Sequence, residues 1–168
     1  MIEVEVSKNM IEEAKQRNES FKDKYGNIGT HRLDKSKQRI TGYLAEAAIR
    51  NVYGIEYSDD DSVDFKHNNK TIDSKAQGCN STPKPYYAAT LYEEQKKRDV
   101  DFYIFSRVKN DWKKVWICGF ISKEDFFKKS KLIPAGTKNN NFTYDQSRFE
   151  ISYNNLNNIK DLGKLLNE

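Results

Sequence analysis

Residues 62–77 read SVDFKHNNKTIDSKAQ, and apolar and polar side chains alternate in both halves of this stretch. Such a period of two is typical of β-strands, and an Asn-Asn pair between two strands favours a tight hairpin turn. If residues 68–69 form the turn, the pairing of the two strands places Asp64 directly opposite Asp73. The sequence therefore predicts a β-hairpin on which two carboxylates face each other.

The facing aspartates need a positive charge nearby. Directly opposed residues of a hairpin have Cβ atoms about 4.5–5.5 Å apart, where two like charges destabilise the pair. A divalent cation would relieve the repulsion, because Mg2+ takes carboxylate and backbone carbonyl oxygens such as those of Asp64, Asp73 and Ser74. Lys75 shares a strand face with Asp73 and could hold the attacking water of a hydrolytic reaction. The alternative is a solvated strand face whose lysines neutralise its aspartates.

Helices and further strands are predicted on both sides of the hairpin. Apolar residues recur at helical spacing over residues 40–52, and Gly54 ends this segment in the manner of a helix C′ residue. The other predicted elements are a peripheral helix over 7–25, hairpin strands over 62–66 and 71–76, strands over 100–108 and 115–121, a short helix from 122, a strand around 149–151 and a terminal helix over 159–166. This order predicts a single α/β domain over residues 1–168, with a central mixed sheet of four to five strands flanked by helices.

The composition is that of a folded domain without a membrane span. Charged residues make up 32% of the chain, mean hydropathy is −0.92, and no segment has the eighteen consecutive apolar residues that a spanning helix needs. Cys79 and Cys118 have neither zinc-site spacing nor a disulfide framework, and the acidic N-terminus is unlike a signal peptide, so we expect a cytoplasmic protein with no membrane partner. A formal net charge of +4 permits a polyanionic partner without requiring one.

The hairpin and the helix before it resemble the core of the PD-(D/E)XK nuclease superfamily. In that superfamily a helix with a glutamate precedes a hairpin that bears an aspartate and then a (D/E)-x-K strand. This chain has GYLAE at residues 42–46, Asp64 in the hairpin and IDSKA at residues 72–76. The match covers residues 39–76, and Val63 stands where the motif has a proline that many members also lack. The resemblance implies a restriction-endonuclease-like fold.

The resemblance also implies a role for each matching side chain. Asp64 and Asp73 would bind a metal ion, Lys75 would orient the attacking water, and Glu46 would contribute to a metal site or a water network. Glu46 also has an ordinary alternative, which is an ion pair with Arg50 one helical turn further on.

Further positions could contribute to such a site. Gln77 lies on the same strand face as Lys75 and could contact a phosphate or the water. Residues 59–61 are all aspartates, and they would replace or support Asp64 if the hairpin had a different register. Their alternative is an acidic cluster that forms a turn. The two histidines, His31 and His67, have no partners at ligand spacing, so we expect surface or turn roles for both.

Basic and aromatic residues flank the hairpin in the sequence. Such side chains hold phosphates and stack on bases, although each charge run alone can also be a solvated face. A polar, basic stretch also covers residues 128–141. The predicted nucleic-acid-binding residues are Arg39, Lys84, Tyr86, Tyr87, Lys96, Lys97 and Arg98.

These observations favour a metal-dependent nuclease that hydrolyses DNA phosphodiesters internally, with Mg2+ or Mn2+ as cofactor. The resemblance covers restriction-like, phage and junction-resolving endonucleases, many of which act as homodimers. One alternative is a nucleic-acid-binding or interaction module on the same fold without catalysis. Another is an α/β protein unrelated to nucleic acids, with a solvated acid–lysine face. The sequence does not distinguish DNA from RNA.

Overall fold

The computed structural model describes residues 1–26, 35–139 and 142–167. The elements are β1 (Ile2–Glu5), α1 (Lys8–Tyr25), α2 (Lys35–Tyr53), β2 (Phe65–His67), β3 (Lys70–Cys79), β4 (Ala88–Tyr92), β5 (Phe102–Lys109), β6 (Lys114–Ser122), α3 (Lys123–Lys129), β7 (Lys131–Ile133), β8 (Lys138–Asn139), β9 (Phe142–Thr143), β10 (Arg148–Ser152) and α4 (Leu162–Leu166). Short 3-10 helices cover Glu93–Lys97, Tyr153–Asn155 and Ile159–Asp161.

A five-stranded mixed sheet of order β1-β6-β5-β3-β2 lies at the centre. Its one parallel pair is β3 with β5, and the other neighbours are antiparallel. A smaller antiparallel sheet has the order β4-β10-β7, and β8 pairs with β9. This architecture confirms the predicted mixed α/β class and the mixed sheet of four to five strands.

Both faces of the central sheet are buried. On β5 the side chains alternate, so Ile104 and Val108 join one apolar cluster while Tyr103 and Phe105 join the other. The first cluster holds the apolar faces of α1, α2 and α4, and the second holds residues of β4, β10 and α3. Helices therefore cover one face, and the small sheet with α3 covers the other.

The hairpin has the predicted turn and register. Asn68 and Asn69 have φ values of 46° and 61°, as a two-residue turn of the primed type requires at both central positions. Phe65 pairs with Ile72, which confirms the register that places Asp64 level with Asp73. β2 is shorter than the predicted strand over 62–66, because the preceding chain turns: the Asp60 carboxylate accepts a hydrogen bond from the Ser62 amide at 2.9 Å.

Five of the described strands were not predicted, namely β1, β4, β7, β8 and β9. β1 is a four-residue edge strand on β6, and β4 follows a segment with Pro83 and Pro85 that reads as a loop. Cys79 and Cys118 are free thiols. Among the described residues, no helix is long and apolar enough to span a membrane.

Candidate active site

The predicted acidic residues meet beside the first half of β3. Glu46 comes from α2, Asp64 precedes β2, and Asp73 and Lys75 lie on β3. Asp73 is 1% exposed and Glu46 is 6% exposed, whereas Asp64 keeps some contact with solvent. The Asp64 Oδ2 accepts a hydrogen bond from the Ser74 amide at 2.7 Å, which holds this carboxyl against the strand. The local fold therefore brings three carboxyl groups and a lysine into one cluster.

Asp64 and Asp73 behave as a pair with unequal proton affinity. Burial, the neighbouring Glu46 and Asp73 raise the pKa of Asp64 well above its ordinary value. Burial also acts to raise the pKa of Asp73, but Lys75, a hydrogen bond from Asp64 and Arg98 together lower it. Of the two carboxyl groups, Asp64 therefore has the higher pKa and Asp73 the lower one.

Two cations neutralise Asp73. The Lys75 Nζ lies 2.6 Å from Asp73 Oδ2, and Arg98 Nη1 lies 2.8 Å from the same oxygen. Arg98 was predicted to bind nucleic acid, but its guanidinium contacts a buried carboxylate, although 39% of its side chain remains exposed. Arg98 is thus a member of the acidic cluster.

Glu46 pairs with an arginine that was not predicted. Arg17 of α1 places Nη2 at 2.7 Å from Glu46 Oε2, while burial raises the pKa of Glu46 against the effect of Arg17. The alternative partner, Arg50, instead makes a bidentate contact with Glu13 at 2.9 Å for each bond. The ordinary alternative for Glu46, an ion pair with Arg50, is therefore not what the fold forms.

Arg17 is held in place by aromatic rings. Its guanidinium lies 4.2 Å from the ring centre of Tyr43 and 4.3 Å from that of Tyr57. The signal for it was in the sequence, because Arg17 falls between Ala14 and Phe21 at the spacing of the inward face of α1. A charged residue on an inward helix face indicates a buried partner.

The chemistry of these donors suits a hard divalent cation. Asp64 and Asp73 supply carboxyl oxygens, and Ser74, whose amide donates to Asp64, presents its carbonyl to the same strand edge. Within residues 1–26, 35–139 and 142–167, no three acidic, histidine or cysteine side chains are grouped so that they could hold a metal ion. The one carboxylate with a lowered pKa in the cluster, Asp73, is in contact with Lys75 and Arg98. A cation would therefore have to displace a basic side chain from Asp73.

A groove of about 810 Å3 adjoins the cluster. β2 pairs only with Lys70–Ile72 of β3, and β5 pairs with the opposite edge of β3. In the described part of the chain, the edge of β3 that faces β2 is therefore not paired with a strand from Asp73 onward. The residues that line the groove come from the start of α2, from Lys75 to Gly78 on β3, from β4, from Gln95 and from Asn110. No carboxylate is among them, and Gln77 is exposed beside Lys75 on the groove wall.

Other predicted binding residues lie apart from the cluster or hold the fold together. Arg39 donates to the Asn18 side chain at 2.8 Å and covers the ring of Phe21, which ties α2 to α1. Lys96 lies 4.3 Å from the ring centre of Phe149. Lys97 is exposed next to Arg98. The predicted residues in the β3–β4 loop are Lys84, Tyr86 and Tyr87, of which Tyr86 is 72% exposed. The length of β4, about 13 Å, separates this loop from Tyr92 at the groove.

The acidic run before the hairpin forms a turn. Asp60 contacts Lys66 at 3.2 Å, and the Asp61 carboxylate accepts a hydrogen bond from Tyr25 at 2.7 Å. Because the hairpin register is the predicted one, the condition under which residues 59–61 would replace Asp64 is not met. His67 is half-buried on β2, and His31 lies outside the described residues.

The cluster contains buried carboxyl groups beside a lysine, and the adjacent groove is lined by no carboxylate. Such a set can hold a cation, bind an anionic chain or simply form a charge network. Neither a protein-family model nor a curated protein sequence matches the chain.

Proposed function

We propose that the protein is a metal-dependent nuclease that hydrolyses DNA phosphodiester bonds internally, on a restriction-endonuclease-like core. The supporting observation is the meeting of Glu46, Asp64 and Asp73 with Lys75 at the wall of a groove that no carboxylate lines. Buried carboxyl groups whose pKa values are raised by desolvation and by neighbouring charges, next to a cleft, are candidates for a functional site.

The donors have separate roles in this proposal. Asp64, Asp73 and the carbonyl of Ser74 would hold Mg2+ or Mn2+, with Glu46 as an additional acceptor. When bound, such a cation stabilises phosphoryl charge and lowers the pKa of the attacking water. Lys75, released from Asp73, orients the water or a phosphate oxygen through its three N–H donors.

The groove supplies the binding surface for the phosphate backbone. Lys75 and Lys37 line it together with neutral polar groups such as Gln77 and Asn110, so an anionic chain meets donors and no carboxylate repulsion. Arg98, partly exposed beside the cluster, provides a second cation for a phosphate. The described part of the chain carries one such cluster, so we expect cleavage of both strands of a duplex to need a homodimer.

A non-catalytic nucleic-acid-binding module is the second candidate. It is favoured by the contacts of Lys75 and Arg98 with Asp73, because these cations neutralise the carboxylate without a metal ion. In that case the acidic cluster would hold two basic side chains at the edge of a binding groove. This function predicts binding of DNA with no cleavage under any metal condition.

Incubation of supercoiled, linear and branched DNA with Mg2+, Mn2+ or EDTA separates the candidates. A nuclease cuts with either metal and not with EDTA, and Asp73→Asn and Lys75→Met each lower the cutting rate about a thousandfold. Asp60→Asn is the matched control, because Asp60 is an exposed aspartate of the adjacent turn, and it should cut at the wild-type rate. Binding without cutting in all conditions would support the second candidate. Cutting by both site variants at the wild-type rate would refute the first.

A further inference from the structure

A row of aromatic and planar side chains leads away from the groove. Tyr92, at the end of β4, lines the groove. The Arg148 guanidinium lies 5.7 Å from the Tyr92 ring centre and 3.9 Å from that of Tyr144. The Tyr144 ring is in turn 5.3 Å from the ring of Phe142, in an edge-to-face contact. Four side chains from β4, β9, β10 and the chain between them thus form one continuous row.

The two ends of the row are open to solvent. Tyr92 is 42% exposed and Phe142 is 56% exposed, while Arg148 and Tyr144 are more deeply set between them. Arg148 therefore acts as the support that fixes the spacing of the rings. Large aromatic side chains gain stability by burial, so two exposed rings at the ends of a fixed row indicate a surface for a ligand.

A pocket of about 410 Å3 lies beside Tyr144. Lys131 and Lys138 line it, together with Glu150, whose Oε1 lies 3.9 Å from Arg148 Nη1. Because Arg148 offsets the charge of Glu150, the two lysines leave the pocket with a positive balance. The pocket is thus suited to an anionic group carried by a ligand with flat rings.

We propose that this row binds the unpaired bases of a nucleic-acid strand that leaves the groove. The inference rests on the proposed function and extends it by naming the substrate class: a strand with unstacked bases, which can lie against aromatic faces. The bases of an intact duplex are stacked on one another and have no free faces for these rings. The exposed carboxylate of Asp145 lies next to Tyr144 in the chain, so we expect stacking rather than charge to supply the affinity.

Fluorescence anisotropy in EDTA tests the row without turnover. The probes are labelled single-stranded DNA, single-stranded RNA and blunt duplex DNA of equal length. Removal of one stacking ring in Tyr92→Ala or Phe142→Ala should weaken single-strand binding about tenfold. Phe142 does not line the groove, so Phe142→Ala should also leave duplex binding within about twofold. The ring-retaining variants Tyr92→Phe and Phe142→Tyr are the matched controls and should bind like the wild type. Weaker binding of the alanine variants to single-stranded DNA or to single-stranded RNA supports the proposal.

Three results would overturn it. The first is a wild-type protein that binds single strands no better than duplex. The second is an alanine variant that folds normally by thermal unfolding and binds single strands like the wild type. The third is a Phe142→Ala variant that loses affinity for single strands and for duplex equally. Failure of the proposed function is a different result, because a protein that binds single strands through the row in EDTA but cuts no nucleic acid with Mg2+ or Mn2+ refutes only the nuclease.

Discussion

Two charge networks join α1 to α2 and its surroundings, and they differ in how well their charges are compensated. In the first, Arg50 donates two hydrogen bonds of 2.9 Å to Glu13, and Tyr57 donates a third of 2.8 Å. Burial acts to raise the pKa of Glu13, but these donors lower it below its ordinary value. In the second, Glu46 and Asp64 keep raised pKa values although basic residues surround the cluster.

The difference separates a structural network from a candidate site. A fully hydrogen-bonded ion pair stabilises the fold. The charges of the first network are compensated within the protein, so this network does not indicate a ligand site. Three carboxyl groups in one cluster are stabilised only in part by Arg17, Lys75 and Arg98, which leaves a cluster that another cation would stabilise further. Arg17 touches both networks, since it also lies over the ring of Tyr57.

The largest expected effect is stabilisation by Mg2+. If the second network binds the ion in the folded state only, a hundredfold excess over Kd adds about 2.7 kcal/mol to the free energy of unfolding. For a chain of this size that is a rise in Tm of about 5–11 °C. Thermal unfolding in MgCl2 and in NaCl of equal ionic strength measures it. An equal rise in Asp73→Asn would show that the ion binds elsewhere.

The next effect concerns the first network. Arg50→Met removes both hydrogen bonds to Glu13, and loss of such charged bonds lowers the free energy of unfolding by about 2 kcal/mol. Urea unfolding measures the change, and the shift produced by Mg2+ should be unaffected. Lys22→Met is the control, because Lys22 makes an exposed pair with Glu19, and exposed pairs contribute little. A smaller Mg2+ shift in Arg50→Met would contradict the separation of the two networks.

The hairpin is the part of the site that its own sequence predicts best. A two-residue turn with two positive φ angles matches the twist of the flanking strands, and Asn68 and Asn69 tolerate such angles. The register therefore follows from local chemistry. Because the register decides which side chains face each other, the pairing of Asp64 with Asp73 follows as well. A local signal thus places two of the three carboxyl groups.

The rest depends on contacts that no local pattern encodes. β1 has only four residues, and its partner β6 is about a hundred residues away in the chain, so alternation alone could not identify it. Within Lys96–Arg98 the sequence presents three adjacent cations, and only the fold shows that Arg98 turns to Asp73 while Lys96 lies over aromatic rings. A run of charged residues shows which charges are present, whereas the residues that each charge contacts are decided by tertiary packing.

Asp64→Asn should stabilise the metal-free protein at neutral pH. The raised pKa of Asp64 means that its protonated form favours the folded state, so this stability is present below the ordinary aspartate pKa and is lost as the pH rises through the folded value. Asparagine cannot ionise and can still accept from the Ser74 amide. We expect a gain on the order of 1 kcal/mol at pH 8 in EDTA and a smaller gain at pH 4. Urea unfolding at both pH values measures it, and a destabilised variant at pH 8 would contradict the assigned direction.

Arg98→Gln should tighten cation binding slightly. Arg98 shares the Oδ2 atom of Asp73 with Lys75, so an arriving cation must compete with it and is repelled by its charge. Because Arg98 is partly exposed, solvent screens much of that repulsion, and we expect Kd for Mg2+ to fall only about threefold. Titration calorimetry measures this, with Lys97→Gln as the control, since Lys97 carries the same charge but is exposed. If both variants tightened binding equally, the effect would come from net charge. A selective effect of Arg98 would show that the basic residues of the second network occupy the place of a cation, in contrast to Arg50 in the first.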